Sequence, residues 1–96
     1  MKLIWLEAFV AVAERESFTD AAKTMGKDQG LVSRYVANLR LWLGKNLIES
    51  YSPVKLTPEG EAFLPVARQV LSLLSAAQND AQPPSALIDP SSIRIS

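Results

Sequence analysis

The chain contains no cysteine and no histidine. That excludes disulfides, thiolate nucleophiles, zinc fingers and imidazole acid–base chemistry. Net charge is also missing, because ten basic residues offset ten acidic ones. Any contact with a nucleic acid must then depend on where charges stand rather than on their sum. No apolar run approaches the roughly 20 residues of a membrane span. The N-terminus Met1-Lys2-Leu3-Ile4-Trp5-Leu6-Glu7 meets an acid too early to be a signal peptide. A cytoplasmic location is expected, and the absence of cysteine fits it. The scattered carboxylates form no pair, and nothing supplies a nucleophile with a base, so neither an active site nor a metal or cofactor is expected.

What is present is a small, well-punctuated chain. Its 96 residues, 48% of them hydrophobic, suffice for one modest core. Leu6, Phe9, Val10 and Ala13 recur at helical spacing and predict a first helix over Leu3 to Arg15. Ser17 is an N-cap candidate, with Asp20 as a shortened capping-box partner. A second helix follows from Phe18 to Met25, and Gly26 stops it. Asp28 caps a third helix from Gln29 to Leu43. Its inner stripe is Val32, Val36, Leu39 and Leu43, flanked by Leu31, Tyr35 and Trp42, and Gly44 closes it.

Two short strands come next. Leu47-Ile48-Glu49 and Val54-Lys55-Leu56 flank a Tyr51-Ser52-Pro53 turn. Thr57 is an N-cap with Pro58 in the first helical position. The fourth helix is expected to reach Ala81, with Ala62, Val66, Val70, Leu73, Leu74 and Ala77 as its apolar stripe. Pro65 lies inside it, where a mild kink is expected. At 1.5 Å per residue this helix would span roughly 35 Å, too long for so small a domain to cover. Its surplus apolar face calls for a second copy of the same helix. Gln82-Pro83-Pro84-Ser85 reads as a linker. Ser92 to Ser96 alternates like a strand cut short, as at a truncation just inside a following domain.

The order helix, turn, helix, hairpin, long helix is that of a winged helix-turn-helix, mainly α, with a linker helix attached. The expected divisions are residues 1–57 for the winged unit, 58–81 for the linker helix and 82–96 for a hinge and the start of another domain. The residues carrying this pattern are Leu6, Phe9, Val12-Ala13, Ser17-Phe18-Thr19, Ala21-Ala22, Gln29, Ser33-Arg34, Leu39, Leu43-Gly44, Leu47 and Leu56-Thr57-Pro58-Glu59-Gly60. In that order and spacing, over about residues 1–75, the chain resembles the N-terminal DNA-binding domain of LysR-type transcriptional regulators. The resemblance implies a bacterial regulator that binds double-stranded DNA as a homodimer. It also implies a small-molecule effector bound by a C-terminal domain outside this sequence. The chain departs from the family at several positions. Asp28-Gln29-Gly30 replaces the usual Ser-Gln-Pro, Arg40 replaces an acid, and Ile48 and Ser50 replace a Phe and an Arg. The wing is one residue short. Arg40 is therefore expected to pair with Glu49, with the signs of a family ion pair exchanged.

Residues near the start of a recognition helix reach base edges. Gln29 can bond an adenine edge or bridge to phosphate, and Ser33 lies one turn further along the same face. Arg34 can fork onto guanine or clamp phosphate. Lys27 and Lys55 are phosphate candidates, evenly balanced against plain solvation. Thr19 can hold a phosphate at a helix N-terminus. Tyr35 is a backbone-contact candidate, though packing explains it as well. The dimer candidates are Trp5, Phe63, Val66, Val70, Leu73, Leu74 and Ala77. The rival reading is a winged-helix dimeriser that serves as a protein-interaction module with little specific DNA affinity. Zero net charge, Asp28 and the thin wing favour it.

Overall fold

The computed structural model describes residues 1–80, with side chains through Ala77. The expected linker at 82–85, the strand at 92–96 and the last predicted helical residue, Ala81, lie outside the described residues. The elements are α1 (Leu3–Arg15), α2 (Phe18–Met25), α3 (Gln29–Leu43), β1 (Ile48–Tyr51), β2 (Val54–Leu56) and α4 (Pro58–Asp80). This is a winged helix-turn-helix followed by a long helix.

Local chemistry explains the helix ends. The Ser17 hydroxyl accepts the Asp20 N–H at 3.1 Å and starts α2. Asp20 does not complete the capping box; its side chain is one methylene shorter than the usual glutamate. Gly26 ends α2 at φ 67°, and the N–H groups of Gly26 and Lys27 bond back to Lys23 and Ala22. That pairing satisfies carbonyls the helix would otherwise leave open. Gly44 ends α3 in the same left-handed region.

The core lies where α1 packs against α2, α3 and α4. Phe9, Val12, Val32, Leu39 and Leu47 are its largest fully buried side chains. Ala21 and Ala67 are also fully buried, and their small side chains let helices approach closely. Phe63 of α4 lies against Phe9 with ring centroids 5.8 Å apart.

The start of α4 is tied to the residues before the hairpin. The Thr57 hydroxyl donates to the Asn46 carbonyl at 2.6 Å and accepts the Gly60 N–H at 3.0 Å. Thr57 N–H in turn donates to the Leu47 carbonyl at 3.1 Å. A Cβ on Gly60 would collide with that same Leu47 carbonyl. Glycine is needed here for close approach of two backbones.

Three expectations need correction. The apolar stripe read for α4 is divided: Val70 packs against the core, the exposed members lie away from it, and the most buried apolar residue of α4 is not in the stripe. That residue is Ala67, with Phe63, Leu64, Val70 and Leu71 packed beside it. Val66, Leu73 and Leu74 are 50%, 63% and 40% exposed. The helix carries apolar residues on two faces, and the small residue Ala67 is the one that is fully buried. The first strand extends to Tyr51 rather than stopping at Glu49, and pairs antiparallel with β2 as Ile48↔Leu56, Ser50↔Lys55 and Tyr51↔Val54. Glu49 is left over as a bulge between Ile48 and Ser50. The bulge also undoes the expected Arg40–Glu49 pair. It places Glu49 in a recess with Ala13, Lys55 and Glu61, away from α3. The ion pair found among the described residues is instead Arg68 with Glu14, at 2.9 Å between α4 and α1.

Candidate nucleic-acid interface

The α2–turn–α3 unit leaves the first turns of α3 exposed. Gln29, Ser33 and Arg34 all face solvent, while Val32 and Val36 on the opposite side are buried. This is the amphipathic split that the 3.6-residue period requires. Asp28 caps the helix by accepting the Gly30 N–H at 2.9 Å. A proline at residue 30 would have no N–H to give, so Asp28 and Gly30 work as a pair.

An open groove of about 330 Å³ runs between these turns and the hairpin. Thr19, Gln29 and Ser33 line one side and Tyr51, Ser52 and Pro53 the other, with Glu16, Ser17 and Phe18 at the base. The Thr19 hydroxyl donates to Gln29 Oε1 at 3.0 Å across the two helices. Tyr51 stacks on Phe18, with centroids 5.6 Å apart and planes 18° from parallel. The Ser50 hydroxyl donates to the Pro53 carbonyl at 3.0 Å and closes the hairpin tip. The hairpin is also anchored from behind: Val54 N–H donates to the Glu16 carbonyl at 3.2 Å. Glu16 reaches this position in the left-handed region at φ 55°, unusual for a residue with a side chain.

The structure thus brings together three of the predicted contact residues, Thr19, Gln29 and Ser33. Arg34 and Lys27 are exposed, Arg34 next to Ser33 on α3 and Lys27 in the turn before it. Tyr35 is half-buried against the core. Lys55 stands apart, in a recess it shares with Glu16, Glu49 and Glu61. None of the residues lining the groove is basic. Tyr51 was not singled out from the sequence. Its signal was an aromatic beside the hairpin turn, but only the bulge at Glu49 decides which way it faces.

A family model for bacterial regulatory helix-turn-helix proteins of the lysR family matches residues 3–61. This chain belongs to the lysR family. It is 47% identical over 75 residues to a probable hydrogen peroxide-inducible genes activator of Mycobacterium xenopi, covering 77% of this chain and 40% of that protein. It is likewise 47% identical over 73 residues to the transcriptional regulator BenM of Acinetobacter baylyi, covering 75% of this chain and 24% of BenM. The chain therefore spans well under half the length of these curated relatives. Among solved structures, the BenM DBD in complex with benA site 1 DNA superposes with a TM-score of 0.82 at 38% identity. That match covers 88% of this chain and all of the other. The lysR-family chain is also similar to the CbnR DBD in its DNA complex, with a TM-score of 0.80 at 32% identity over 85% of this chain and 95% of that one. The family is one of transcriptional regulators, and no helix among the described residues is long and apolar enough to cross a membrane.

Proposed function

We propose that this chain is the sequence-specific, double-stranded DNA-binding part of a bacterial transcription regulator, and that it acts as a homodimer. The observation that carries the reading is the exposed, polar first turns of α3, flanked by a hairpin across an open groove. An α-helix held out in this way fits the major groove, with Gln29, Ser33 and Arg34 at base edges. Lys27 and the hairpin then lie near flanking phosphates. The similarity to chains solved on DNA supports the same docking.

The dimer reading rests on the outer face of α4. Val66, Leu73 and Leu74 are exposed, and at the foot of this face Leu43, Ala62, Phe63 and Val66, together with Lys45 and Glu59, line a recess of about 260 Å³. Leaving that much apolar surface in water is unfavourable by about 25 cal/mol per Å², and a second α4 would cover it. Trp5, Val70 and Phe63 also contact the core of their own chain, so their contribution to the dimer is shared. A two-fold dimer would read an inverted repeat with half-sites roughly 34 Å apart, or a multiple of that.

Selection from random duplexes tests the reading. The expected result is an enriched inverted repeat, bound with a clear dependence on salt concentration. Equal and weak binding of every duplex by a folded dimer would refute it. That outcome would favour the protein-interaction module, to which a groove with no basic residue and with Glu16 at its base also points.

A further inference from the structure

We propose that Thr19 decides which base edge Gln29 reads, by holding the Gln29 amide with its NH2 group outward. The inference rests on the DNA-reading role proposed above. A glutamine amide has one accepting oxygen and one nitrogen with two donors, and the two ends are chemically opposite. Thr19 Oγ1 and Gln29 Oε1 lie 3.0 Å apart. Two oxygens at that distance need a proton between them, and the hydroxyl supplies it. Thr19 is the second residue of α2, behind the Ser17 cap. The free backbone groups at a helix start are N–H donors, so they do not compete for this proton.

Both ends of the bond are set by caps. Ser17 fixes the start of α2 through the Asp20 N–H, and Asp28 fixes the start of α3 through the Gly30 N–H. The amide is thus oriented before any ligand arrives. Gln29 Nε2 has no hydrogen-bond partner among the described residues and lies at the groove beside Ser33. Docking on a duplex would exclude water from the Thr19–Gln29 bond and strengthen it.

The consequence is a choice between bases. A glutamine that grips adenine uses both ends of its amide, accepting from N6 and donating to N7. With Oε1 turned toward Thr19 and one of its two lone pairs taken, Gln29 presents chiefly its donating end to the groove. Guanine offers two adjacent acceptors on its major-groove edge, O6 and N7. Gln29 therefore reads guanine in preference to adenine. Thr19 is a positioning residue that acts through Gln29.

The test is selection from random duplexes by the 96-residue chain and by its Gln29→Ala, Thr19→Val and Thr19→Ser variants, with thermal unfolding of each as a check on folding. The position read by Gln29 is the one whose preference flattens in Gln29→Ala. Wild type is expected to prefer guanine there over adenine by about tenfold. Thr19→Val removes the hydroxyl at nearly constant shape, and the preference should fall to within about threefold as adenine gains. Thr19→Ser should keep the wild-type preference. A uniform loss across all duplexes in Thr19→Val, with the preference intact, would mean that Thr19 merely holds phosphate, and would overturn the inference. So would a wild-type preference for adenine, or a Gln29→Ala variant that flattens no position. If wild type enriches no sequence at all, the DNA-reading role fails first and the inference goes with it.

Discussion

The start of α3 and the outer face of α4 are both exposed, and their chemistry is opposite. At α3 the exposed groups are polar and already organised: Thr19 bonds Gln29, and Asp28 bonds Gly30. Such a surface is content in water and can exchange that water for a polar ligand. At α4 the exposed groups are Val66, Leu73 and Leu74, which gain nothing from water and hold no orientation of their own. One surface suits a partner that comes and goes, the other a partner that stays. On the proposed reading, a domain that binds DNA as a pair uses both.

The comparison breaks most severely where α4 is joined to the rest. Gly60→Ala would drive a methyl group into the Leu47 carbonyl, backbone against backbone, with no side chain able to yield. A loss on the order of 3 kcal/mol is expected, lowering Tm by roughly 15 °C; a thermal melt measures it. Leu73→Asp addresses α4 alone. At 63% exposure the change should leave the single chain folded. It should weaken self-association by roughly 2 kcal/mol, about thirtyfold. Sedimentation across a concentration series reads this directly, and an unchanged dimer would remove Leu73 from the interface.

Arg34→Ala addresses α3 alone. Loss of a forked contact to a base or phosphate should weaken specific DNA binding by about 1–2 kcal/mol, seen by fluorescence anisotropy, while sedimentation stays as in wild type. If Arg34→Ala dissociates the dimer, or Leu73→Asp flattens base preference with the dimer intact, the division between the two surfaces is wrong. The smallest effect belongs to Arg68→Ala. Its bridge to Glu14 is half-exposed on both sides, so the loss should stay below about 1 kcal/mol and fade as salt rises. Chemical denaturation at two salt concentrations would show it.

The two regions were not equally legible in the sequence. The two helices of the helix-turn-helix, α2 and α3, begin and end where their caps and glycines stand, because a cap acts within three or four residues of itself. Gln29, Ser33 and Arg34 were legible for the same reason, as exposed positions on a helix whose buried stripe is plain. The phase of α4 was not. Ala62, Val66 and Val70 form as good a stripe as Phe63, Ala67 and Val70, and periodicity ranks a valine above an alanine. Packing reverses that order: Ala67 is fully buried and Val66 is half-exposed. The hairpin was half legible: its turn and second strand follow the sequence signals, but a bulge adds a residue without leaving a mark in a nine-residue stretch.

The sequence by itself determined the elements, their order and their ends, since each depends on residues a turn or less apart. It also determined which helix would present an exposed polar start, through the position of Asp28 and the polar residues behind it. Only the tertiary structure decided what meets across the fold: Thr19 with Gln29, Phe18 with Tyr51, Glu14 with Arg68, and the Gly60 backbone with Leu47. Apart from the first, these partners are more than a dozen residues apart. Their meeting depends on the volume and shape of everything packed between them, a property no local pattern carries.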